Sequence, residues 1–167
     1  MKATSPKPAS KPSSAVGMAA IQQIAKRVGR DHELALELWK TGWYEARLLT
    51  AFVDEADRVT AAQMDAWARD FDDWAIVDTL CFKLWDRTPH AWKKIEQWST
   101  RRGEFQKRAS FALLAGVALH DKAAPDAPFV KSLAQELAAS DDATARATGK
   151  TVIRELSSTA AKKRLPK

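Results

Sequence analysis

Residues 71–85 read Phe71-Asp72-Asp73-Trp74-Ala75-Ile76-Val77-Asp78-Thr79-Leu80-Cys81-Phe82-Lys83-Leu84-Trp85, and this stretch decides the fold. Asp72 or Asp73 can cap a helix, because a short side-chain acceptor satisfies backbone N–H groups of the first turn. The run that follows contains no Gly or Pro and is apolar on most sides, through Trp74, Ile76, Val77, Leu80, Cys81, Leu84 and Trp85. A helix this apolar belongs at the centre of a helical domain. Asp78 within it then requires a partner or an opening to water. Trp74 and Asp78 stand four residues apart, so a helix places them on one face, an indole beside a carboxylate. By residue type alone the pair reads first as a core aromatic and a solvated acid.

Toward the N-terminus the same grammar repeats. Thr60-Ala61-Ala62-Gln63 matches a capping box and opens a helix that carries Met64, Trp67 and Ala68 inward. Trp43 to Asp57 is a further helix, with Ala46, Leu49, Phe52 and Val53 at helical spacing. Asp31 can cap another, in which Leu34, Leu38 and Trp39 form the buried stripe and Gly42 stops the chain. A first helix starts near Met18 with Ile21, Ile24, Ala25 and Val28 on one face, and Gly29 ends it.

Toward the C-terminus, Thr88-Pro89 is a cap followed by Pro at the first helical position and introduces Trp92, Ile95 and Trp98. The next helix runs from about Gly103 to Leu119, with Phe105, Ala109, Ala112, Leu113, Gly116 and Val117 facing inward. Pro125 and Pro128 mark a break. Phe129 to Ala139 and Asp141 to Leu156 give two more helices, the second interrupted by Gly149. No β-rich segment is present. Short antiparallel helix pairs joined by tight turns predict an all-α fold, an α-solenoid or a compact helical array in which consecutive pairs stack.

Composition agrees. The 167 residues are 46% hydrophobic with only six Gly, enough for one helical domain with a sizeable core. Seven Trp serve as bulky packing residues, with one or two left for a working surface. A lone Cys81 in an apolar run is a core residue, forms no internal disulfide and suits a reducing compartment. Residues 1–17, with three Pro, five Ser or Thr and three Lys, read as a disordered basic leader. The helical domain is expected over 18–157, followed by a basic tail over 158–167. No run reaches the length of a membrane span and the start lacks a signal-peptide hydrophobic region, so the expected location is the cytoplasm.

The net charge of +6 is unevenly spread. The leader and tail together carry +7 with no acid, leaving the middle at −1. Asp31 to Leu80 holds twelve acids against Lys40, Arg47, Arg58 and Arg69, whereas Cys81 to Arg108 holds eight cations against Asp86, Glu96 and Glu104. A basic half with basic tails suits a polyanion such as nucleic acid. By charge alone, Lys93, Lys94, Arg101, Arg102 and Lys107 are candidate phosphate contacts. His32, His90, His120 and Cys81 show no metal-ligand spacing. A Gly-rich phosphate loop, a Ser or Cys nucleophile constellation and a helix-hairpin-helix signature are also missing from the sequence, and no cofactor is called for.

Several motifs together carry a resemblance. Arg30-Asp-His-Glu-Leu-Ala-Leu-Glu-Leu-Trp39, Trp43-Tyr-Glu-Ala-Arg47, Val59-Thr-Ala-Ala-Gln-Met-Asp-Ala-Trp67, Phe71-Asp-Asp-Trp-Ala-Ile-Val-Asp78 and Phe105-Gln-Lys-Arg-Ala-Ser-Phe111 resemble the AlkD-type DNA alkylation repair enzymes. The likeness runs in register from about Met18 to Lys122, and more weakly over Asp142 to Leu156. It implies a HEAT-like repeat fold and removal of alkylated purines from DNA without flipping the damaged base; the expected partner is double-stranded DNA with alkylated purines, and the expected state a monomer. It also implies a concave-face Trp and Asp one turn apart, matched by Trp74 and Asp78, and a phosphate-gripping Arg matched by Arg108.

The chain departs from the family pattern in two places. The helices that ordinarily precede the Met18 segment are replaced by the leader. Near the C-terminus a helical pair with a second concave-face aromatic is missing, and no Trp, Tyr or Phe occurs between Val130 and Lys167. Two readings therefore stand: a glycosylase for cationic N3- and N7-alkylpurines with Asp78 and Trp74 at the chemistry, and a non-catalytic helical-repeat module that binds DNA or protein.

Overall fold

The computed structural model describes residues 16–120, 128–139 and, with gaps, 141–154. Among the described residues all regular structure is helical. Eight α-helices are traced in full: α1 (Met18–Val28), α2 (His32–Lys40), α3 (Tyr44–Val53), α4 (Ala61–Arg69), α5 (Trp74–Lys83), α6 (Ala91–Ser99), α7 (Glu104–His120) and α8 (Pro128–Ala138). A 3-10 turn, Trp85–Arg87, separates α5 from α6. No described helix is long and apolar enough to cross a membrane. The expected leader to residue 15 and the basic tail lie outside the described residues. Chain contacts divide the molecule into two compact units, Met1–Leu84 and Trp85–Lys167.

In the first unit, local capping sets the helix starts. The Asp31 side chain accepts from Leu34 N, Thr60 Oγ1 from Gln63 N, and Asp73 Oδ1 from Ala75 N at 2.8 Å. α3 packs against α1, α2 and α5. α2 and α4 are joined by Trp39 and Trp67, whose rings stack with centroids 4.3 Å apart and 8° from parallel. Odd-numbered helices thus form one layer and even-numbered helices the other, which is the alternation of a helical-repeat solenoid. α3 stops at Val53, earlier than its apolar spacing predicts, because Asp54 turns into extended backbone and its buried carboxylate is used elsewhere. Asp54 Oδ1 lies 2.6 Å from His32 Nδ1 and accepts from Glu55 N, and Oδ2 accepts from Gln63 Nε2 at 2.8 Å.

The outer stripe of α1 also differs from expectation. Ile21 and Ala25 are buried, whereas Ile24 and Val28 are 43% and 44% exposed. α1 packs chiefly on α3, so only the centre of its apolar stripe is covered. On α2 the buried set is His32, Ala35 and Trp39, and Leu34 and Leu38 are half-buried.

The second unit is built around α7, which packs on α6 and on the 3-10 turn. From Ala109 to Ala118 every α7 side chain with a Cβ is buried. Trp85 and Trp98 meet at 5.6 Å between ring centres. α6 begins at Ala91 with His90 at its cap position, two residues later than Thr88-Pro89 suggests. The Thr88 hydroxyl donates instead to Trp85 O at 2.9 Å, closing the 3-10 turn. Gly149 is buried, and 149–154 are helical. A Cβ there would meet the backbone of α8 at Ala134 O (2.7 Å), Leu137 C (2.8 Å) and Ala138 N. The glycine permits two helices to touch.

Candidate functional site

α5 carries the two central candidates. At about 100° per residue, Trp74, Asp78 and Phe82 follow one another along one flank, bordered by Ala75, Thr79 and Lys83. The opposite arc holds Ile76, Val77, Leu80 and Cys81, all buried. Outward residues match that division: Trp74 is 38% exposed, and Asp78, Thr79 and Phe82 are half-buried. The apolar arc therefore fixes the helix in the unit, and the rotation left over presents the indole and the carboxylate together. Trp74 is not packed core. Asp73 caps the helix immediately before it, so the first turn of α5 is anchored where Trp74 emerges.

The ends of α3 and α5 adjoin. Tyr44, the first residue of α3, has its phenol pushed above the usual tyrosine range by burial and then by the negative charges of Asp73 and Glu45. Beneath this end lies Arg47, buried, with Nη1 donating to Asp70 O at 3.1 Å and standing 3.6 Å from Asp72 Oδ1. Its guanidinium carbon is 4.7 Å from the Trp39 ring centre. Sequence reasoning missed this role of Arg47, since its partners come from α2 and from the turn after α4. Trp43, 69% exposed, was also not singled out. The surplus of tryptophans was the available signal.

In the second unit, Arg101, Arg102 and Lys107 are exposed and Arg108 is half-buried, all within eight residues around the start of α7. Lys107 N donates to Gly103 O at 3.0 Å, which sets the first turn of the helix. Four cations at a helix N-terminus oppose the helix dipole, and Glu104 is the one acid in that turn. They also concentrate positive potential where backbone N–H groups already attract anions. Lys93 is exposed on α6. Lys94 is a correction: it is 2% exposed, with Nζ donating to Gln97 Oε1 at 3.2 Å and lying 5.7 Å from the Trp98 ring centre. Its stem fills the α6 core, so it does not face an external phosphate. Among the described residues no His, Cys, Asp and Glu group could hold a metal ion.

A model of DNA alkylation repair enzymes matches residues 6–165. The chain belongs to the DNA alkylation repair enzyme family. A solved structure described as "A new family of proteins related to the HEAT-like repeat DNA glycosylases with affinity for branched DNA structures" shares the fold, with a TM-score of 0.73 at 17% identity. The match covers 93% of this chain and 68% of that one. No curated protein matches the chain. The family assignment and the HEAT-like fold agree with the sequence motifs, and α5 and α7 of this DNA alkylation repair family member carry the residues those motifs single out.

Proposed function

We propose that the protein is a DNA glycosylase that hydrolyses the N-glycosidic bond of cationic N3- or N7-alkylated purines in double-stranded DNA. The observation that carries this reading is that Trp74 and Asp78 lie on the flank of α5 away from its buried arc of Ile76, Val77, Leu80 and Cys81. An alkylated purine already bears positive charge and leaves as a neutral base, so the protein need not protonate it. What remains is to stabilise the oxocarbenium-like sugar and to position water. The Asp78 carboxylate supplies negative charge for the first and an acceptor for the second. The Trp74 ring offers its electron-rich face to the sugar. Arg101, Arg102, Lys107, Arg108 and Lys93 hold backbone phosphates, which fix register without reading sequence. Trp74 is 38% exposed and Asp78 half-buried on the same flank, an arrangement that suits a reaction needing no extrusion of the base into a pocket.

A second reading has support from the solved relative, whose description names affinity for branched DNA structures. In that reading the same basic surface binds a junction and no base is released. Release of 7-methylguanine from alkylated duplex DNA separates the two. Release establishes the glycosylase, and its absence with retained, salt-sensitive binding of a four-way junction establishes the binding module.

A further inference from the structure

A cavity of about 340 Å³ opens in the first unit between α1 and α3, lined by Gln22, Ala25, Lys26, Gly29, Arg30 and Phe52. Gln22, Ala25, Lys26 and Gly29 follow one another at helical spacing along one flank of α1. Ala25 is buried and Phe52 half-buried against the core they share with Ala35 and Val53, so the floor is apolar. Gln22, Lys26, Gly29 and Arg30 are exposed and form the rim. Gly29 ends α1 at φ 80°, its N–H donating to Ala25 O at 2.8 Å, and a Cβ there would meet nothing within 4 Å. The mouth is therefore open beside Arg30.

The rim is positive. Residues 16–30 contain Lys26, Arg27 and Arg30 and no acid. Arg30 Nη1 donates to Asp54 O at 2.6 Å, which holds the guanidinium in place and leaves its other N–H groups for a ligand. Among the described residues neither Lys26 nor Arg30 pairs with a carboxylate, whereas the exposed Lys40 and Arg58 do. Acids close to Arg30 are engaged elsewhere: Asp31 caps α2, Asp54 takes His32 and Gln63, and Glu55 faces Arg58. Cations in the last turn of α1 offset its dipole, but a dipole does not call for an apolar floor beneath them.

Two cations over an apolar floor select an amphipathic anion. A bare anion leaves the floor wet, and a hydrocarbon leaves the cations without a counter-charge. The volume lies at the lower end of the range for small-molecule pockets, about 300–1,000 Å³. Exposed Ile24 and Val28 lie on the opposite flank of α1, past buried Ile21, so the apolar surface at the cavity is small and self-contained. We propose that this cavity binds a small amphipathic carboxylate, its hydrocarbon on Ala25 and Phe52 and its carboxylate between Lys26 and Arg30.

The test is a chemical-shift titration of the isotope-labelled full chain with three probes. Octanoate carries both features, octanamide the hydrocarbon without the charge, and inorganic phosphate the charge without the hydrocarbon. Octanoate is expected to shift the amides of Gln22, Lys26, Gly29 and Arg30 saturably, with an affinity about tenfold above that of octanamide. Lys26→Gln is expected to weaken octanoate about threefold and leave octanamide unchanged. Gln22→Phe, which lays a ring over the mouth from an exposed position, is expected to lose octanoate binding. Thermal unfolding at the wild-type temperature shows that both variants keep the fold. Equal affinity for octanoate and octanamide overturns the proposal in favour of a plain apolar patch. Phosphate saturating the same amides as tightly as octanoate overturns it in favour of a general anion surface. Octanoate shifts centred elsewhere, or wild-type octanoate binding by both variants, also overturn it. No DNA is present in these titrations, so their outcome is independent of the glycosylase reading.

Discussion

The Arg47 guanidinium carbon lies 4.7 Å from the ring centre of Trp39, which also stacks on the Trp67 ring with centroids 4.3 Å apart. A cation, an indole and a second indole thus bind α3, α2 and α4 into one stack, and Arg47 extends the stack to Asp70 and Asp72 before α5. Asp72 stands two residues before Trp74, the first residue of α5.

Replacing Arg47 by Lys keeps the charge but loses the planar fork that reaches Asp70 O and Asp72 together. Arg47→Lys is expected to destabilise the protein by about 2 kcal/mol. A lower urea midpoint with an unchanged m-value would register this; an unchanged midpoint would show that the stack does not need the guanidinium.

Gly149 lies against the backbone of α8. Gly149→Ala sets a methyl against the α8 backbone at Ala134, Leu137 and Ala138, and backbone cannot swing aside as a side chain can. A destabilisation of about 1–3 kcal/mol is expected. Thermal unfolding measures it, and a neutral or stabilising result would contradict the close approach.

Tyr44 is the single tyrosine of the chain, so tyrosinate absorbance reports it alone. Its phenol should ionise above the usual pH 10. Because the native state holds this proton more tightly than the unfolded chain, the stability involved is present below the unfolded pKa and is lost as pH rises through the folded one. Asp73→Asn retains a capping oxygen and removes the charge. The ionisation midpoint should fall in that variant without reaching the unperturbed value, since burial, the larger cause, persists. An unshifted midpoint would separate α3 from α5 at this end.

Phosphate contacts are countable through salt. Neutralising Lys107 should reduce the slope of log K against log salt for duplex binding by about 1. Lys94→Met should leave the slope unchanged, because that ammonium is turned into the α6 core. Equal effects from both residues would contradict their assigned positions.

The legible parts of the sequence were those governed by local chemistry. Asp31, Thr60 and Asp73 announce their helices because a cap bonds within three residues. Trp74 and Asp78 could be placed on one flank from spacing and motif context. Pairings across the chain had no such signal. His32 with Asp54 and Arg47 with Trp39 and Asp70 join different helices, and Asp54 ends α3 because of what it binds 22 residues away. Thr88 misled because its hydroxyl serves the preceding turn. Lys94 misled because charge gives no direction on a helix, and Ile95 and Trp98 bracket it on the buried side.

The account rests most directly on Asp78 acting in the chemistry. Its measurement is the single-turnover rate of 7-methylguanine release from alkylated duplex DNA, wild type against Asp78→Asn at matched DNA occupancy. The account predicts release by the wild type and a fall of about 10²–10³-fold in the variant with binding retained. Release that persists at the wild-type rate in Asp78→Asn, or that is absent from both proteins while they bind the duplex equally, would contradict it.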